Sequence, residues 1–238
     1  MKYAIAVLLA VLLVGSSLAS APQKSPIREE QFLSKGKKRV YYFFAPEGAN
    51  ASTPLPLVIP LLGKGRDAKQ AIEKWQEIAT REKFIVASPM ASNRSGWSGS
   101  LDGPEFFRGF VEAIKSKCAV NTQKIYLFGH KESASMAIAL ALIESEYYAA
   151  VSSNFGSLDT FSYRLIDGAR RKIPVAMMIG GDDPFFPLET IKAARDALNA
   201  RSFPVEIIQI PGHDNDYNKG FDLVNRAAWD FLKAHELP

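Results

Sequence analysis

Three places in the sequence carry side chains that could do chemistry together. The first is Gly129-His130-Lys131-Glu132-Ser133, where an apolar run over residues 124–128 meets a small residue and passes into an alanine-rich stretch. A strand that turns this sharply into a helix needs small residues two before and two after its tip, and Gly129 and Ser133 meet that demand. The second is Gly180-Gly181-Asp182-Asp183-Pro184-Phe185-Phe186-Pro187, and the third is Gly212-His213. Tip, acid and imidazole in this chain order suit nucleophilic acyl transfer. In such chemistry the tip side chain attacks, a histidine within hydrogen-bond reach takes its proton, and a buried carboxylate holds that imidazole in one tautomer. The N–H of Glu132 and one from Gly63-Lys64-Gly65 are the candidate donors to an oxyanion. The conflict is at the tip, where Lys131 stands in place of a hydroxyl or thiol.

Lys131 has three readings. As a nucleophile on an ester it would form a stable amide, so covalent work suits only carbonyl substrates through a Schiff base. As a cation it would anchor a ligand carboxylate. As a remnant it would be neutralised by Asp183 or Glu132. Ser133 and Ser135 are the replacement nucleophiles to weigh. Ser135 has small neighbours two places away, Ser133 and Ala137, but lies inside the helix by register; Ser133 has Lys131 two before it. His213 is a triad base or a loop histidine, and Asp182 competes with Asp183 for the acid role. Trp97 and Phe185 line a ligand cleft or pack in the core, and Phe186 has the same alternatives. Asp182, Asp183, Asp214 and Asp216 lack the spacing of a calcium loop. His130, His213 and His235 are too dispersed for zinc. The sequence therefore predicts no metal and no cofactor.

Elements that would position these residues are legible in the patterning. Residues 39–45 read as a strand, and residues 57–62 as a second whose unbroken apolar character suits burial on both faces. Asp67, with Gln70 three residues on, reads as a capping box opening a helix. Further strands are expected at 84–88, 124–128, 148–152, 174–179 and 205–210. Helices are expected from Pro104 to Cys118, after the elbow to about Glu144, from Pro187 to Arg201, and over 220–236. Residues 154–172 read as irregular. Strands alternating with helices predict an α/β fold, a doubly wound, mostly parallel sheet with helices on both faces. Ligands in such sheets bind beyond the carboxyl ends of the strands, where Lys131, Asp183 and His213 stand.

The chain has 238 residues, a net charge of +4 and one cysteine, Cys118. The charge is too small and scattered to argue for nucleic acid. The densest basic run, Lys35-Gly36-Lys37-Lys38-Arg39, reads more simply as a solvated entry to the first strand than as a ligand site. Met1-Lys2-Tyr3, the apolar run 4–14 and Gly15-Ser16-Ser17-Leu18-Ala19 read as a secretory leader cleaved after Ala19, since the run is short of the ~20 residues needed to cross a bilayer. The expected organisation is a leader over 1–19, a flexible segment over 20–37 and one domain over 38–238. The mature protein is expected to be periplasmic or secreted, without a membrane anchor, and monomeric.

These pieces resemble the α/β-hydrolase family, and within it the small exported esterases related to polyhydroxybutyrate depolymerases and feruloyl esterases. The resemblance covers about residues 38–236. It rests on residues 57–65 (an apolar strand plus H-G-x-G, with Leu62 in place of the histidine), 84–89, 125–139, 180–187 (G-x-x-D-x-x-x-P) and Gly212-His213. It implies that Asp183 and His213 are the triad acid and base and that Lys131 replaces the nucleophilic serine. The leading expectation is therefore an exported protein of esterase or depolymerase ancestry with ester hydrolysis lost or strongly reduced. It would bind a small or polymeric, ester-like or anionic ligand. The alternatives are an active carboxylic ester hydrolase using His213 and Asp183 with a shifted serine or an activated water, and a non-enzymatic binding protein.

Overall fold

Eight consecutive residues with almost no polar group, Leu-Pro-Leu-Val-Ile-Pro-Leu-Leu, can be satisfied as a strand only where both faces are covered. In the structure, a computed structural model describing residues 26–49, 52–65, 67–181, 188–213 and 216–238, they form β3 (Leu55–Leu62) at the interior of an eight-stranded sheet. The other strands are β1 (Arg28–Ser34), β2 (Lys37–Phe44), β4 (Ile85–Pro89), β5 (Val120–His130), β6 (Ala150–Asn154), β7 (Val175–Gly180) and β8 (Val205–Ile210), in the order β1-β2-β4-β3-β5-β6-β7-β8. β2 is antiparallel to both β1 and β4; the remaining neighbours are parallel.

Helices cover both faces. On one side α1 (Ala68–Glu82) and α6 (Tyr217–Leu232) pack Trp75, Val224 and Trp229 against Val58, Val86, Tyr126 and Phe128. Trp75 meets Phe128 edge-on at 5.1 Å, and Trp229 stacks on Phe84 at 4.0 Å. On the other side α2 (Pro104–Lys115), α3 (Glu132–Ile143), the short α4 (Arg164–Gly168) and α5 (Leu188–Asn199) cover Leu57, Ile59, Leu127, Val151 and Met177. Among the described residues no helix is long and apolar enough to cross a membrane.

Several local expectations change. Residues 28–34, expected within a flexible segment, are β1, joined to β2 by Lys35 and Gly36 at φ 50° and 72°. Two left-handed residues in a two-residue loop are the hairpin turn that fits strand twist. The sequence hid β1 because only Phe32 in it is buried, so no apolar alternation marks it. Asp67 precedes α1 but makes no side-chain cap bond, so the capping box does not form. The helix expected from Pro104 to Cys118 ends at Lys115, so half-buried Cys118 lies beyond the end of α2. The outermost strands carry charges, Arg28, Glu29 and Glu30 at the start of β1 and Glu206 on β8. The leader at 1–19 lies outside the described residues.

Candidate active site

The elbow forms as its small residues require. β5 ends at His130, α3 begins at Glu132, and Lys131 alone makes the reversal at φ 53°, ψ −121°. Its N–H donates to Asn154 O at 3.0 Å, and its carbonyl accepts from the N–H of Ala134 at 2.9 Å. A Cβ on Gly129 would sit 2.6 Å from Ala134 Cα and 2.8 Å from Ala137 Cβ, so strand and helix approach closely only because none is there. The Lys131 side chain is exposed. Among the described residues no carboxylate forms an ion pair with it, so the expected neutralisation by Glu132 is absent.

The loop after β3 faces the elbow. Gly63 and Gly65 take positive φ, 48° and 75°, and Ala91 N–H donates to Gly65 O at 2.7 Å. Ser133 is fully buried with its hydroxyl engaged twice: it donates to Gly63 O at 2.5 Å and accepts from Trp97 Nε1 at 2.8 Å. A hydroxyl held this way braces the elbow against the loop. Lys64, Trp97, Glu132, Ser135, Met136 and Asp159 surround one cleft of about 410 Å³. Ser135 Oγ donates to Asp159 Oδ2 at 2.5 Å, and hydrogen bonds from Ser135 and Ser162 hold the Asp159 carboxyl below its ordinary value against the burial that raises it. Three of the expected residues, Lys64, Trp97 and Glu132, thus share a cleft.

His213 is buried, its ring 5.1 Å from Phe155. A Cβ on Gly180 or Gly220 would collide with it. The His130 ring lies 6.4 Å from the same Phe155 ring. His130 is buried, stacks on Tyr217 at 4.6 Å and shares a 3.2 Å hydrogen bond with Asn154 Nδ2. Burial, with Lys131 and His213 nearby, pushes its pKa down to about 3, so it is neutral. Asp183 and Phe185, with Asp182, Phe186 and Asp214, lie outside the described residues. Among the described residues no group of three His, Cys, Asp or Glu side chains gathers as a metal site.

A serine–acid pair is nevertheless present, in a place the sequence did not flag. After β4 the chain passes through Ser92 to Asp102. Ser92 Oγ donates to Asp102 Oδ1 at 2.6 Å, and Ser92 N–H to the same carboxylate at 3.1 Å. Ser98 N–H adds a bond at 2.9 Å to Oδ2, and Arg39 Nη2 reaches Oδ1 at 2.7 Å. Asp102 is fully buried, and the Arg39 guanidinium compensates its charge. A hydroxyl donating to a carboxylate at this distance is a short, charge-assisted bond. No imidazole hydrogen-bonds Ser92 among the described residues. The sequence signal was only a Gly/Ser-rich loop with one acid in it, and the pairing depends on Arg39 arriving from β2.

The eight-stranded order, its single antiparallel junction with β2 on the parallel part and the elbow after β5 decide the architecture. The fold is that of the α/β-hydrolases. No protein-family model matches this chain. It is similar to a curated protein of Nocardia uniformis subsp. tsuyamanensis named "Putative esterase NocK", 26% identical over 172 residues, which are 67% of this chain and 49% of that protein. The chain therefore spans about half the length of that relative. Among solved structures it resembles a thermostable esterase (19% identity, TM-score 0.66, 88% of this chain and 63% of that one). It also resembles the S-formylglutathione hydrolase FrmB of Staphylococcus aureus (18%, 0.69, 89% and 98%). A third is FphF, a fluorophosphonate-binding serine hydrolase of Staphylococcus aureus (16%, 0.69, 88% and 99%). At these identities the likeness is one of fold.

The expectation that Lys131 leaves this chain with ester hydrolysis lost or strongly reduced is corrected. Its ground was that Lys131 occupies the elbow tip where the serine is expected. Ser92–Asp102 is an intact serine–acid pair on the carboxyl side of the same sheet.

Proposed function

We propose that the protein is an active carboxylic ester hydrolase whose nucleophile is a serine displaced from the elbow tip. The observation that carries this reading is the Ser92–Asp102 pair, with Oγ–H directed at Oδ1 over 2.6 Å. Ser92 Oγ attacks the ester carbonyl carbon, and its proton passes by way of the carboxylate to the departing alkoxide as the acyl C–O bond breaks. Water then attacks the acyl-serine and regenerates the hydroxyl. The named esterases and hydrolases of the same fold support this reaction class.

A second reading is favoured by the burial of His213 against Phe155. There His213, oriented by Asp183, activates a water directly, with the N–H groups of Glu132 and Lys64 at the oxyanion and Trp97 and Phe185 along the cleft. The substrate is a small or polymeric ester without a cofactor. The proposed setting is an exported, monomeric protein whose single domain takes in β1 as well as residues 38–238, from the leader-like residues 1–19.

The deciding test is hydrolysis of short-chain p-nitrophenyl esters beside mapping of a fluorophosphonate label on the wild type, Ser92→Ala and His213→Ala. A label on Ser92, with turnover down about a hundredfold or more in Ser92→Ala, supports the serine reading. Turnover that survives in Ser92→Ala but fails in His213→Ala moves the chemistry to water. No label and no turnover by the wild type sinks both.

A further inference from the structure

The hairpin turn that the sequence reads as solvated forms one wall of a groove. Opposite it runs the segment after β4, and between them lies a cavity of about 530 Å³. Lys35, Lys37, Lys38 and Arg39 line one wall; Ser92 and Asn93 line the other. Lys35 Nζ donates to Ser100 O at 2.8 Å across the groove. Asp102, the partner of Ser92, is buried and bonded to Ser92, Ser98 and Arg39. Glu29, in the lining, accepts from Tyr42 Oη at 2.6 Å. Lys37 and Lys38 have no ion-pair partner among the described residues.

Lysines on an outer hairpin commonly do no more than solvate it. Three features separate this case. The cations converge on a concave surface, where a low-dielectric wall focuses their field. Among the described residues Glu29 is the one carboxylate in the lining, against three lysines and Arg39. The groove also opens beyond the carboxyl end of β4, the side of an α/β sheet on which ligands bind. We infer that this groove binds a polycarboxylate, and that the ester cleaved at Ser92 carries free carboxylates which Lys35, Lys37 and Lys38 hold. The identity of the bound molecule as substrate rests on the esterase reading; its binding does not.

The test is calorimetric titration of the full mature chain with two probes of the same chemistry, trigalacturonate for a polymer source and benzene-1,3,5-tricarboxylate for a small-molecule source. Binding of either at low salt is expected, weakened at least about tenfold by Lys37→Gln/Lys38→Gln and by raised salt. The tighter probe identifies the source. The thermal midpoint of the double variant is measured alongside, and Lys35→Gln gives an independent variant if the double one does not fold. No binding of either probe, or binding that the lysine variants leave unchanged, overturns the inference. Ester hydrolysis without polycarboxylate binding removes the groove and keeps the esterase. Binding without hydrolysis of any ester does the reverse.

Discussion

Ser133 Oγ and Gly63 O are joined by a 2.5 Å hydrogen bond, which ties the first turn of α3 to the loop after β3. Trp97 Nε1 completes the link at 2.8 Å. One buried hydroxyl thus holds together the two backbone segments that would supply the oxyanion donors. Ser133→Ala leaves a buried indole N–H and a carbonyl without this partner, at a cost of about 1–3 kcal/mol. A lower denaturant midpoint with an unchanged m-value is the expected result. Fluorophosphonate labelling should persist in this variant, because Ser133 is structural; loss of the label with an unchanged fold would show otherwise.

Arg39 and Asp102 are a buried pair, and removing one member should be far worse than removing both. Arg39→Ala strands the carboxylate and should cost about 3–5 kcal/mol. Arg39→Met/Asp102→Leu should recover a substantial part of that in stability while abolishing any chemistry that depends on Ser92–Asp102. A double-mutant cycle by urea denaturation reads the coupling. Additive losses would mean that the pair is not coupled.

Acid should weaken the fold partly through His130. Its folded pKa of about 3 lies below the ordinary value of 6.5, so between those values the unfolded chain binds the extra proton. The stability from a neutral His130 is complete above pH 6.5 and is lost as pH falls toward 3, by up to about 1.4 kcal/mol per pH unit. His235 is shifted in the same direction by burial and adds a smaller contribution of the same sign. His130→Phe should flatten the profile between pH 6 and about 4 relative to wild type, as read from thermal midpoints. Parallel profiles would remove His130 from the acid response.

Lys131 holds a strained backbone at the elbow, at φ 53° and ψ −121°. Such a conformation costs a non-glycine residue about 1–3 kcal/mol, against about 0.5–1 kcal/mol for the freedom of a glycine in the unfolded chain. Lys131→Gly should therefore be neutral to stabilising, by up to about 2 kcal/mol, whereas Gly129→Val should destabilise through its 2.6 Å approach to Ala134. A lower midpoint for Lys131→Gly would mean that the lysine makes a contact outweighing its strain.

The sequence displayed what is governed by burial and hid what is governed by partnership. Strands β3 and β8 stand where their apolar runs place them, and α1 buries the Ala71, Trp75 and Ile78 face that its spacing marks. The elbow was legible because its small residues answer to a local steric demand that Gly129 meets. Strand β1 was not, because one buried phenylalanine carries no period and the strand owes its existence to β2. Ser92–Asp102 was missed for a related reason. Its acid becomes tolerable in the interior only when Arg39, 63 positions away, crosses to it, and nothing in the Gly/Ser loop announces that meeting. The elbow motif pointed serine chemistry to the tip and to its neighbours Ser133 and Ser135, and Ser92 lies outside that motif.

The charged outermost strands bear on how the protein behaves in a crowded refolding mixture. Each end of the sheet offers a row of backbone donors and acceptors that another extended chain could template on. On β1 such an addition would have to desolvate Arg28, Glu29 and Glu30, and on β8 Glu206. Both ends thus act as gatekeepers against fibrillar growth, and neutralising them, rather than loosening the interior, is the change that would turn this sheet toward aggregation.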